Sequence, residues 1–233
     1  MSVLAAMQSA AIKLIGQKPQ VFFTSSDVFE MEIVDILNQV AKDICKANDW
    51  QSLTKIETYT GDGITNNFPF PDDYDRQLVN SNLQDLDNWA WNYQHITDLN
   101  QFMFIRGRGF QQFPGSWTIY DNKFQFTPPP PAAQSASFPY ISKNYAIQQS
   151  GAKSDSFQND TDEFVIRGGE ELLTLGIVWR WRENKKLDYT GDQEAFAMLL
   201  EQLAAKDKGS SIIRKGRRFV GLNVRAAWPW TLG

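Results

Sequence analysis

Two helix-rich ends enclose a middle from which the good helix formers have been removed. Between Thr58 and Asp162 there is no Glu, and between Thr58 and Pro131 there is one Ala, Ala90, and one Lys, Lys123. Asn, Asp, Gly, Pro and aromatic residues fill the space instead, a composition that suits turns and strands. A chain built this way cannot be a continuous helical bundle. It must interrupt a helical body with a β-rich insertion.

The ends read as helices by their apolar spacing. Leu4, Met7, Ala11, Ile12 and Ile15 predict a helix over Ser2–Ile15, stopped by Gly16 and Pro19. Phe29, Ile33, Ile36, Leu37, Val40 and Ile44 make one stripe of a second helix, with Asp27 and Glu30 at capping-box spacing. Leu172, Leu175, Val178 and Trp179 predict a third helix after Gly168-Gly169. Phe196, Leu199, Leu200 and Leu203 predict a fourth, with Thr190 and Gln193 at capping-box spacing. Two N-terminal helices bury their stripes poorly alone, so the economical arrangement packs them on the C-terminal pair.

Inside the insertion, "KIETYTGDGITNNFPFP" reads as a hairpin turning at Asp62-Gly63, and "GSWTIYDNKFQFTP" as one turning at Asp121-Asn122. "SASFPYISKNYAI" reads as a further strand, "TPPPP" as a stiff connector, and "RGRGF" as a strand-end turn or loop tip. The expected fold is α+β. A four-helix core is divided between residues 1–55 and 147–209, around a β-rich insertion with long loops at 56–146. An extended arm follows at 210–233.

From Lys208 to Gly233 there are six Lys/Arg and no Asp or Glu, while the rest of the chain carries 17 Lys/Arg against 27 Asp/Glu. The arm also holds Phe219, Val220, Leu222, Val224, Trp228 and Trp230, which would be left in water if it were only a solubilising end. Basic groups with aromatics suit nucleic acid, by phosphate pairing and base stacking. They equally suit an arm that orders on a partner, with Trp as anchors and Arg at the rim. The sequence chemistry favours the docking arm.

Nothing in the chain assembles a catalytic constellation. His95 is the single histidine and Cys45 the single cysteine, so a His/Cys zinc site within one chain is excluded, as is an intrachain disulfide. Cys45 falls on an apolar helical face and reads as core. Asp72, Asp73 and Asp75 in "PDDYD", with Asp85, Asp87 and Asp98 beyond, are the carboxylates that a glycan hydrolase could use, with Trp89 and Trp91 lining a sugar cleft. Pro-Asp-Asp is also ordinary turn chemistry, and this reading is preferred. No cofactor or metal is expected. No run of about 18 apolar residues predicts a membrane span, and the N-terminus lacks the features of a signal peptide.

Three stretches, "FFTSSDVFEMEIVDILNQVAKDICKANDWQSLTK", "TGDGITNNFPFPDDYDRQL" and "LGIVWRWRENKKLDYTGD", resemble the head–tail adaptor (connector) proteins of tailed bacteriophages. The resemblance spans most of residues 12–209. It implies a structural virion protein rather than an enzyme, made in the host cytoplasm and placed at the head–tail junction. It implies a homo-oligomeric ring of twelve copies between the portal protein and a tail or nozzle protein, with DNA passing through the lumen without specific binding. On this reading Arg214, Lys215, Arg217, Arg218, Phe219, Arg225, Trp228 and Trp230 are expected to contact the portal. Trp89, Trp91, Phe102, Phe104 and Phe110 are expected to receive the tail. The alternatives are the carboxylate-dependent glycan hydrolase and a DNA-binding module of the tail machinery.

Overall fold

A computed structural model of the chain describes residues 2–78, 81–85, 93–108 and 115–207. In chain order the helices are α1 (Val3–Ile15), α2 (Val28–Ala47), α3 (Leu99–Gly107), α4 (Gly169–Asn184) and α5 (Thr190–Asp207). The strands are β1 (Thr54–Thr60), β2 (Asn67–Pro69), β3 (Tyr74–Gln77), β4 (Gln84–Asp85), β5 (Gln94–His95), β6 (Ser116–Tyr120), β7 (Lys123–Thr127), β8 (Ser135–Ser142), β9 (Ala146–Ile147), β10 (Lys153–Ser154) and β11 (Glu163–Phe164). The architecture is α+β and divides into two compact units, one of residues 2–54 with 141–207 and one of residues 55–140.

In the first unit α4 is the central helix. It packs on α1, α2 and α5, and Leu172, Leu173, Gly176, Ile177, Val178 and Trp179 are all buried, which is more than the single predicted stripe. Leu175 of that stripe is only half-buried. Val3, Ala6, Met7, Ala10 and Ala11 of α1 and Ile33, Leu37, Val40 and Ile44 of α2 complete this core. No described residue of α5 is fully buried. The expected four-helix core is therefore a three-helix core with α5 laid on α4, its stripe of Phe196, Leu199, Leu200 and Leu203 half-covered.

The helix ends follow local chemistry. Gly16 closes α1 in the left-handed region (φ 69), where its N–H donates to Ile12 O at 3.0 Å. Asp27 caps α2 by accepting from Phe29 N at 2.8 Å. The start of α1 has no side-chain cap. Its first N–H groups are taken by the 160–162 loop, with Val3 N donating to Asp162 O at 2.8 Å and Leu4 N to Asp160 O at 3.3 Å. The start of α5 departs from expectation, because Asp188, not Thr190, supplies the acceptor, taking the Thr190 N–H at 3.2 Å.

Asn38 on α2 ties the short β9–β11 region to the helices. Its Oδ1 accepts from the Tyr145 hydroxyl at 3.0 Å and from Phe157 N at 2.9 Å. The β9–β11 sheet has the order β10-β9-β11 and is antiparallel throughout.

The second unit is built around an aromatic core. Trp117, Phe124, Phe126, Phe138, Tyr140 and Tyr93 are buried together, with Tyr59, Phe68, Phe70 and Tyr74 packed against them. One sheet runs β2-β7-β6-β5, and the other centres on β8, which pairs with β1, β3 and β4. The β6–β7 hairpin forms as expected. Tyr120 pairs with Lys123, and Asp121 and Asn122 take φ values of 55 and 54 as a two-residue primed turn requires.

The other predicted hairpin does not form. β1 pairs with β8 and β2 with β7, so the two never meet. Asp62 instead binds its own turn, accepting from Ile64 N and Thr65 N at 2.8 and 2.6 Å. The surrounding backbone is taken by the proline segment and by Gln134 beyond it. Gly61 N donates to Gln134 O at 2.7 Å, and Gly63 N to Pro130 O at 3.0 Å. A Cβ at Gly61 would overlap the Pro130 and Pro131 carbonyls, which is why Gly stands there.

Candidate docking surfaces

The sequence pattern predicts a β-rich insertion with long loops over residues 56–146, and the structure places the helix α3 within it. Asp98 caps it, accepting from Asn100 N at 2.9 Å. The first three residues of "RGRGF" thus form a helix end rather than a strand turn: Arg106 and Gly107 close α3 and Arg108 caps it. Only Phe102 of α3 is buried; it meets the Tyr120 ring edge-on. Leu99, Met103 and Phe104 are 46%, 52% and 54% exposed, and the Arg108 guanidinium lies over the Phe104 ring at 4.1 Å. Arg106 donates to the Tyr120 hydroxyl at 2.7 Å. Of the residues expected to receive a tail, Phe104 is on this open face and Phe102 is in the core. Trp89, Trp91 and Phe110 lie outside the described residues. So do all of the expected portal contacts, Arg214, Lys215, Arg217, Arg218, Phe219, Arg225, Trp228 and Trp230.

Two of the three carboxylates of "PDDYD" are occupied structurally. Asp73 accepts from Lys55 Nζ at 2.5 Å and from the Tyr140 hydroxyl at 2.8 Å, and Asp75 pairs with Arg76 at 2.7 Å. Burial, and then the bond to Asp73, push the Tyr140 phenol well above its ordinary range. Asp73 is a cross-strand tether in this setting, not a carboxylate facing a cleft. Asp98 is the α3 cap.

His95 stacks on Trp117 with ring centroids 4.1 Å apart, and burial lowers its pKa. Cys45 is buried in α2. Among the described residues no three His, Cys, Asp or Glu side chains come together as metal ligands, and no helix is long and apolar enough to cross a membrane.

The first unit presents two further surfaces that sequence reading missed, because a stripe shows what is apolar and not how completely it is covered. Val40, Asp43, Trp179, Arg180, Phe196 and Leu200 line an open groove of about 300 Å³ between α2, α4 and α5. Arg180 bridges it, binding Asp43 at 2.6 Å and stacking on Trp179 at 4.4 Å, while the buried Trp179 N–H has no acceptor among the described residues. On α1, Ile12 and Ile15 are 50% and 40% exposed.

These surfaces leave Leu99, Met103, Phe104, Ile12 and Ile15 open to solvent. No curated protein matches the chain. A family model described as SU10 adaptor protein matches residues 1–225. The chain therefore belongs to the SU10 adaptor family, a family of phage head–tail adaptors.

Proposed function

We propose that this phage structural adaptor forms a ring, of twelve copies, between the portal and the tail, and guides DNA through its lumen. The family match over residues 1–225 carries the reading. The division of charge supports it: the arm at 210–233 is basic and aromatic, and the remainder of the chain is acidic. An arm of this chemistry suits insertion into a neighbouring ring, where many identical weak contacts act together. An acidic lumen repels phosphate and lets DNA slide rather than stick.

The arm residues Arg214, Lys215, Arg217, Arg218, Phe219, Arg225, Trp228 and Trp230 make the portal contact. Phe104, with Leu99 and Met103 beside it on α3, leads the tail contact, joined by Trp89, Trp91 and Phe110. Co-sedimentation with isolated portal rings tests the assignment. The full chain is expected to travel with the portal, and a chain lacking residues 210–233 is expected to stay behind while keeping its helical circular dichroism. A truncated chain that still travelled with the portal would refute the role of the arm.

A further inference from the structure

Two edges of the first unit are complementary in charge and lie on opposite flanks of α4. On one flank, α1 rests against Thr174, whose hydroxyl donates to Ala6 O at 3.3 Å. On the other, α5 brings Phe196 against Gly176 and Trp179. Thr174 and Gly176 are two residues apart, which is about 200° around a helix of 3.6 residues per turn. The two flanks thus face away from each other.

The α1 edge exposes Ile12 and Ile15 beside Lys13, with Lys18 and Val21 just beyond. Residues 1–26 contain no carboxylate side chain at all. In its own chain Lys13 lines a groove with Glu170 and Glu171, whereas Lys18 is exposed beyond the helix end. The α5 edge exposes Met198, 63% accessible, with Glu194 and Glu201 four residues before and three after it on the same helical face. Phe196 and Leu200, each two residues from Met198 and so about 200° around the helix, turn inward to the groove with Trp179 and leave Met198 as the apolar centre of the outer face.

We infer that the α1 edge of one copy of this chain seats on the α5 edge of the next. Pairing α1 with α1 would set Lys against Lys, and pairing α5 with α5 would set Glu against Glu. Only the unlike edges join opposite charges around apolar centres. Because these edges are different surfaces on opposite flanks, the contact is head-to-tail. It does not close at two copies and propagates until the rotation closes a ring. The inference rests on the ring reading above and names the surfaces that build the ring.

Charge reversal and swap in the full chain test it, with annular particles counted by electron microscopy in the presence of portal rings. Lys13→Glu with Lys18→Glu, and separately Glu194→Lys with Glu201→Lys, should each lower the annulus count by about tenfold, the equivalent of 1.4 kcal/mol. All four sites are exposed, but Lys13→Glu sets a third carboxylate beside Glu170 and Glu171 and so lowers the melting temperature; circular dichroism matching the parent's, recorded below the transition, separates misfolding from lost contact in each variant. The fourfold swap should restore the annuli. An equimolar mixture of the two half-reversed variants should restore them too, since every joint between the two variants sets Lys against Glu and the copies can alternate around the ring. Annuli that form normally in both half-reversed variants would overturn the inference and leave the ring reading standing. So would a folded swap variant, or a mixture of folded variants, that fails to recover. A parent chain that forms no annuli would overturn both.

Discussion

Gly176 of α4 and Val40 of α2 approach so closely that a single added carbon has no room. A Cβ at Gly176 would overlap Val40 Cγ1 and come within 3.2 Å of the Phe196 ring. The central helix can be covered by both α2 and α5 because this position carries no side chain.

Gly176→Ala should therefore destabilise the protein by about 1–3 kcal/mol through overpacking. That amounts to a fall of roughly 2–4 °C in melting temperature for each kcal/mol in a domain of this size. Val40→Ala in the same chain should recover much of the loss, since the two side chains compete for one space. Equal losses in the single and double variants, measured by thermal unfolding, would show that the clash lies elsewhere.

Asn38 should matter more than either of its partners. Asn38→Ala leaves both the buried Tyr145 hydroxyl and Phe157 N without their acceptor and is expected to cost about 1–3 kcal/mol. Tyr145→Phe removes one hydroxyl and frees Asn38 for its other bond, so its cost should be smaller, about 1 kcal/mol. Urea unfolding of the two variants decides the order.

Asp62 should titrate far below an ordinary aspartate. The Thr65 hydroxyl, followed by the N–H groups of Thr65 and Ile64, hold its carboxylate and lower its pKa from 3.8 to about 2. The folded value is the depressed one. The stabilisation is thus fully present above pH 3.8 and is lost as pH falls through about 2. Carboxyl-carbon NMR should show Asp62 titrating near 2, and a midpoint near 3.8 would mean that the turn is not held this way.

Neighbouring phenylalanines of α3 should separate folding from docking. Phe102 is fully buried, and Phe102→Ala should cost about 3–5 kcal/mol. Phe104 is 54% exposed, and Phe104→Ser should leave stability within about 0.5 kcal/mol while weakening attachment of the tail protein. Phe104→Ser particles that gain tails normally would remove α3 from the tail contact.

Helices α1, α2, α4 and α5 were legible because each carries its own period and stop signals. Gly16, Asp27 and Gly168 act where their chemistry says they should. The β6–β7 hairpin was legible for the same reason, since Asp121-Asn122 is a complete local instruction. Apart from the cap of α5, where Asp188 took the role given to Thr190, the failures are non-local. Asp62-Gly63 is a real turn, but which strands flank it depends on a proline segment far along the chain. α3 buries one residue in nine, and its apolar residues Leu99, Phe102, Met103, Phe104 and Ile105 spread around the helix instead of marking one face. The covering of α5 could not be read at all, because half-burial is decided by neighbours and not by spacing. The site followed the same rule. "PDDYD" advertised carboxylates, and only the fold shows Asp73 spent on Lys55 and Tyr140.

Electron microscopy of the full chain mixed with isolated portal rings, beside the same mixture made with a chain ending at residue 209, tests the adaptor account most directly. The account predicts annuli stacked coaxially on the portal with the full chain and bare portals with the shortened one. Bare portals in both mixtures, or stacked annuli in both, would contradict it.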